Sequence, residues 1–142
     1  MKNYFDFNGQ VAIVTGCSTG LGVQMAKALA NQGATIVAVA RRQNLIDEVA
    51  ADITKTYGVP AVGIACDITK TEQVEAMVDA VLAKFGRVDV CINNAGTGAV
   101  APAEDITDDQ LNHELKILGK KYLIIFSFVA LRSYIFRYIC PG

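Results

Sequence analysis

The sequence predicts an α/β fold, with a parallel β-sheet covered by helices on both faces. Three observations carry that prediction. Apolar, β-prone runs alternate with helix-period segments four times, joined by short links, the pattern of βαβ units with right-handed crossovers. The runs are apolar almost without interruption, as parallel strands buried on both faces are. The first run feeds directly into a glycine-studded turn from which a helix starts. A chain of 142 residues fits a single domain.

The elements follow in order. Residues 1–9 are polar and aromatic, and Phe5 and Phe7 are expected to cover the sheet edge. The first strand spans about residues 10–15. Leu21, Met25 and Leu29, four apart, mark the apolar line of the first helix, which stops near Gly33, a C-terminal cap. The second strand spans 34–40 and is followed at once by Arg41 and Arg42. Leu45, Val49 and Ile53 mark one face of a second helix that runs to Tyr57 and Gly58. The third strand spans 59–66. Thr69 and Glu72 have capping-box spacing and open a third helix. Val74, Met77, Val78, Val81, Leu82 and Phe85 give it the cleanest amphipathic period in the chain, and Gly86 ends it. The fourth strand spans 87–92 and leads into Asn93-Asn94-Ala95-Gly96. Thr107 and Gln110 repeat the capping-box spacing and open one more helix.

The turn after the first strand reads Thr15-Gly16-Cys17-Ser18-Thr19-Gly20-Leu21-Gly22. A turn of this kind offers unpaired backbone N–H groups and the positive end of a helix dipole to an anion. Gly16 suits a positive φ where the chain reverses. Gly20 leaves room for a diphosphate to approach the backbone, and Gly22 lets the helix lie close to the strand. In a dinucleotide-binding, Rossmann-type sheet the strand order is 3-2-1-4, so the turn and Asn93 to Gly96 would face each other across one crevice. The alternative phosphate loop of nucleoside triphosphatases fails, because no lysine follows Gly20 or Gly22.

Composition removes other classes. Net charge is -1, from 13 basic and 14 acidic side chains, which gives no footprint for nucleic acid. The four cysteines, at 17, 66, 91 and 140, form no Cys-x-x-Cys pair, and His113 is the single histidine, so no metal site is expected. Three of the cysteines fall at or near strand ends as small buried apolar residues, and a reducing cytoplasm is the default setting. The N-terminus lacks a signal-peptide pattern.

The glycine turn resembles Thr-Gly-x-x-x-Gly-x-Gly, the cofactor fingerprint of the short-chain dehydrogenase/reductase family. Asn93-Asn94-Ala95-Gly96 matches that family's Asn-Asn-Ala-Gly stretch, and the resemblance spans about residues 5–117. It implies a nicotinamide dinucleotide as partner, held by Gly16, Ser18, Thr19, Gly20, Leu21 and Gly22 at the diphosphate. Asp67 and Ile68 would contact the adenine, and Asn93, Ala95 and Gly96 the central strand and the adenosine ribose. Where family members that use NAD carry an acid, this chain has Ala40, followed by Arg41 and Arg42. The expected cofactor is therefore NADP, with NAD as the alternative.

The family reaction transfers a hydride between the nicotinamide and a carbonyl or alcohol. It uses a serine, a tyrosine with a lysine four residues on, and a relay asparagine. None of these can be placed. Tyr4, Tyr57, Tyr122, Tyr134 and Tyr138 have no lysine at that spacing. The relay position counts to Leu118, and Asn112, His113, Glu114, Ser127 and Ser133 carry no catalytic expectation. The resemblance thus divides the chain into residues 1–117, a partial cofactor-binding domain, and 118–142, a divergent apolar tail. The break at Ile117 looks like an interruption or reading-frame change in a longer gene. The apolar run from Tyr122 to Leu131, interrupted only by Ser127, is well under the ~20 residues of a membrane span. It reads as a replacement strand, a membrane-associating segment or, the favoured reading, sequence without selected structure. The expectation is an NADP(H)-binding portion of a reductase, inactive alone, which needs the missing part before it takes a carbonyl or alcohol substrate. The alternatives are a non-catalytic nucleotide-binding or interaction module, or a non-functional truncated product. Substrate and oligomeric state are not set by the sequence.

Overall fold

Seven elements alternate strictly between strand and helix in the computed structural model, which describes residues 5–96 and Asp109. They are β1 (Val11–Thr15), α1 (Gly20–Asn31), β2 (Thr35–Ala40), α2 (Gln43–Tyr57), β3 (Ala61–Ala65), α3 (Thr71–Phe85) and β4 (Val90–Ile92). The strands are all parallel and lie in the order β3-β2-β1-β4, as the sequence predicts.

The two-residue period of the strands splits the core into two layers. Val11, Ile13, Val37 and Val39 face α3 and pack with Val74, Met77, Val78 and Val81. Ala12, Val14, Ile36 and Ala38 face the other way and pack with Ala26 and Ala30 of α1 and Ile46 and Ile53 of α2. All five residues of β1 are buried, which is why that strand reads as an unbroken apolar run.

Two helices turn differently from their predicted faces. The buried line of α1 is Gly22, Ala26 and Ala30, not Leu21, Met25 and Leu29. Leu21 is 63% exposed. The small residues bring the helix axis close to the sheet, and Met25 and Leu29 flank the contact. In α2 the buried line is Ile46, Ala50 and Ile53, while Leu45 and Val49 are half-buried. The α3 face matches the prediction, with Val74, Met77, Val78, Val81 and Leu82 all buried.

The capping box at Thr69 and Glu72 is not made. The Thr69 hydroxyl donates to Asp67 Oδ1 (2.8 Å) instead, and the helix starts two residues later behind Lys70. Gly58 (φ +69°) and Gly86 (φ +73°) end α2 and α3 in the left-handed conformation that glycine adopts without a Cβ clash. Phe5 does not cover the sheet, being 70% exposed, whereas Phe7 packs against the α1 and α2 layer. The fourth strand is shorter than predicted. Asp89 accepts from the Val11 amide through Oδ2 (2.8 Å), donates its own amide to the Val11 carbonyl (2.9 Å), and is gripped by Arg87. Before Val90 the Val11 amide is thus taken by the Asp89 side chain, while the Asp89 backbone amide still bonds to the Val11 carbonyl.

The expected helix from Thr107, the residues Asn112, His113 and Glu114, Cys140 and the tail 118–142 lie outside the described residues. Among the described residues, no helix is long and apolar enough to cross a membrane.

Candidate functional site

The C-terminal ends of β1, β2 and β3 and the segment after β4 enclose a cleft of about 340 Å³. Parallel strands place all their following loops on this side, so residues distant in sequence converge here.

The first wall is the turn from β1 to α1. Gly16 has φ +68°, and a Cβ there would lie 2.8 Å from the Ala95 Cα and 3.0 Å from Asn94 Nδ2. A Cβ on Gly22 would collide with the Gly16 carbonyl. Both glycines therefore answer to close backbone packing. Gly20 differs: it has φ +64° and open space where its Cβ would point. Thr19, the residue before α1, makes no side-chain capping hydrogen bond, and the first turn of α1 has no acidic residue. The start of the helix is thus not closed by that side chain, and Ser18, Thr19 and Leu21 line the cleft beside it. Cys17 lies behind the turn, with its amide on the Val39 carbonyl (3.1 Å) and its thiol pushed up to about 11 by burial.

A wholly buried hydroxyl fixes this wall to the end of β4. Thr15 Oγ1 donates to the Ile92 carbonyl (3.3 Å) and accepts from the amides of Asn94 (3.1 Å) and Ala95 (3.0 Å). Asn94 Nδ2 in turn donates to the carbonyls of Thr15 (3.3 Å) and Gly16 (3.4 Å). The bracing asparagine is therefore Asn94, which the sequence reading left out in favour of Asn93. Asn93 is half-buried and accepts from the Cys91 thiol (3.9 Å). Thr15 is the other residue the sequence reading missed. Its signal is a hydroxyl at the last position of an otherwise apolar strand, where a buried polar group needs partners.

The second wall is the turn from β2 to α2. Arg41 and Arg42 are exposed and line the cleft, and Arg42 Nη2 donates to Ser18 Oγ (3.4 Å). The third wall follows β3. Asp67 Oδ1 accepts from the Thr69 amide (2.9 Å) and hydroxyl (2.8 Å), and the Asp67 amide donates to Gln73 Oε1 (2.7 Å). The Thr69 amide and hydroxyl, with Arg41 and Lys70 nearby, hold the Asp67 carboxyl below its ordinary range. Ile68 is buried in the α3 layer beside it. Cys66 also borders the cleft, its thiol pushed up to about 11 by burial and then by the Asp67 charge. Ala95 and Gly96 complete the rim.

Of the residues singled out in the sequence, Gly20, Gly22 and Asn93 do not line the cleft; the others do. Among the described residues, no group of His, Cys, Asp and Glu could hold a metal ion.

The sequence profile of the short chain dehydrogenases matches residues 10–125. D-threitol dehydrogenase of Mycolicibacterium smegmatis is 41% identical over 105 residues, which is 72% of this chain and 40% of that protein. The L-sorbose reductase of Gluconobacter frateurii, solved with NADPH and L-sorbose, superimposes with a TM-score of 0.77 at 31% identity. The match covers 89% of this chain and 48% of the reductase. An NAD+-bound xylitol dehydrogenase superimposes with a TM-score of 0.79 at 32% identity, covering 92% of this chain and 50% of that one. The chain thus spans half or less of the length of these relatives.

Proposed function

The chain belongs to the short chain dehydrogenase family, and on that premise we propose that its cleft binds NADP(H), with NAD as the weaker ligand. The observation that carries the reading is the pairing of two walls. The start of α1, not closed by its own N-cap side chain, stands across from Arg41 and Arg42, with Ala40 where a carboxylate would select NAD. The backbone amides after Gly16 suit a diphosphate, and Gly20 gives it open approach. The arginines suit a 2′-phosphate. Asp67 and Ile68 suit the adenine edge, and Ala95 and Gly96 the adenosine ribose. A charge-assisted hydrogen bond contributes ~1.5–3 kcal/mol. One arginine contact therefore corresponds to roughly tenfold or more in affinity.

When bound, the nicotinamide supplies or accepts the hydride of the family reaction. In this reading the chain's own residues bind and orient the dinucleotide. Proton transfer to a carbonyl oxygen needs a positioned acid, and these 142 residues contain no Tyr-x-x-x-Lys. The proposal is accordingly binding without turnover by this chain alone. A nucleotide-binding module without catalysis rests on that same gap. Residues 1–117 form the binding part in this reading and 118–142 a separate tail. A cytoplasmic setting belongs to the proposal as well, supported by the free thiols Cys17, Cys66 and Cys91.

Titration of the purified chain with NADPH, followed by nucleotide fluorescence, tests it. The expected result is saturable binding, tighter than NADH by about tenfold, with no carbonyl-dependent loss of NADPH. A folded protein with no saturable binding removes the cofactor reading. Carbonyl-dependent NADPH oxidation by this chain alone removes the claim of no turnover.

A further inference from the structure

The residue after the arginine pair makes bonds that neither the fold nor the cleft requires of it. Gln43, the first residue of α2, directs its side-chain amide at the outer side of β3. Its Nε2 donates to the Gly63 carbonyl (3.0 Å) and to Asp47 Oδ1 (2.7 Å), and its Oε1 accepts from the Ala65 amide (3.0 Å). β3 ends the sheet among the described residues, so these two backbone groups face away from β2. One amide carries both a donor and an acceptor, so it can satisfy both groups as a neighbouring strand would.

The consequence lies one residue upstream. Arg41 and Arg42 sit on a link of two residues between Ala40, which pairs with Ala65 in β3, and Gln43, which bonds to Ala65. Both ends of the link are thereby referred to a single residue of β3. Two residues beyond that point is Asp67, whose carboxyl feels the Arg41 charge. On the far side, Arg42 reaches Ser18 of the glycine turn. The glycine at 63 fits the same arrangement, because a Cβ there would lie 2.8 Å from Asp47 Oδ1 and 3.0 Å from the Ile46 carbonyl carbon.

We infer that Gln43 is a positioning residue for dinucleotide selectivity: its amide docks the arginine-bearing link onto β3 and so sets where the two guanidinium groups stand. The inference rests on the proposed role of the arginines. It assigns Gln43 no contact with the nucleotide.

The test uses the full 142-residue chain, with Gln43→Leu, Gln43→Glu and, as a control in the last turn of α2, Lys55→Ala. Gln43→Glu keeps an acceptor for the Ala65 amide but removes the donor to both Gly63 and Asp47. Gln43→Leu removes acceptor and donor alike. Affinities for NADPH and NADH are measured on each, together with hydrogen exchange at the Ala65 amide. The expected result is a fall in the NADPH-to-NADH affinity ratio of about fivefold in Gln43→Leu and about threefold in Gln43→Glu. NADH affinity should stay nearly constant, and the ratio in Lys55→Ala should be unchanged. A purely structural role for Gln43 would weaken both nucleotides equally and leave the ratio in place, which overturns the inference. If the wild-type chain itself shows no preference for NADPH, the arginine reading fails instead. The exchange measurement then still decides the docking: a freely exchanging Ala65 amide in the wild type refutes it.

Discussion

The turn from β1 to α1 and the turn from β2 to α2 border the same cleft, yet they are built from opposite materials. In the first, side chains are missing where packing is tightest. Gly16 and Gly22 leave no room for a Cβ, and Thr15 and Asn94 hold the backbone from behind. In the second, the backbone link is only two residues long and side chains do the holding and the reaching. Gln43 bonds to β3, Arg42 to Ser18, and Arg41 acts on Asp67. A backbone surface presents the same N–H groups to any diphosphate. A side-chain surface changes with each substitution. In the proposed function the first turn accounts for binding a dinucleotide at all, and the second for which dinucleotide.

The comparison breaks most sharply at Gly22. In Gly22→Ala the new methyl meets the Gly16 carbonyl and Asn94 Nδ2, a rigid pair. Overpacking of this kind costs typically ~1–3 kcal/mol. Thermal unfolding should show destabilisation at the upper end of that range, and fluorescence titration should show both nucleotides lost together. Retained NADPH binding at wild-type stability would mean that the first turn tolerates side chains after all.

A smaller and selective effect is expected at the second turn. Replacing Arg41 and Arg42 together by Gln should weaken NADPH roughly tenfold or more. NADH affinity and melting temperature should stay close to wild type, because both side chains are exposed. Equal loss of both nucleotides would assign the arginines to the diphosphate and dissolve the distinction between the turns.

The smallest effect concerns acid. The folded-state pKa of Asp67 is depressed by its Thr69 hydrogen bonds and by Arg41. Its contribution to stability is therefore complete above the unfolded pKa, near ~4. It is lost as pH falls through the lower folded value. Asp67→Asn should accordingly be less stable than wild type at neutral pH, with the difference shrinking below about pH 4. The carboxylate is partly exposed, so solvent screening keeps the difference modest. A constant difference across the acid range, measured by denaturant unfolding, would show that the Thr69 contacts act through shape and not charge.

Legibility differed between these regions for physical reasons. Strand and helix alternation, the order 3-2-1-4 and the α3 face were readable, because burial on both faces and a 3.6-residue period leave direct traces in residue type. Gly16 was readable because its positive φ goes with the sharp reversal after a strand. The α1 face was misread. Leu21, Met25 and Leu29 have the right period, but the parallel line Gly22, Ala26, Ala30 packs closer. Hydrophobicity alone favours the larger residues, while the distance between helix and sheet favours the smaller. The capping box was misread for a related reason, since Asp67 outcompetes the helix start for the Thr69 hydroxyl.

The sequence by itself determined the alternating α/β order, the glycine turn and the placing of two arginines where a strand ends. Those features are local, and the backbone limits each to few residue types. Only the tertiary structure decided that Asn94 rather than Asn93 does the bracing, that Thr15 is its partner, and that Gln43 docks the arginine link onto β3. Each of those contacts joins residues 20 or more positions apart. A polar side chain's bond depends on which backbone groups the fold leaves unpaired beside it, and that is known only once the strands have taken their places.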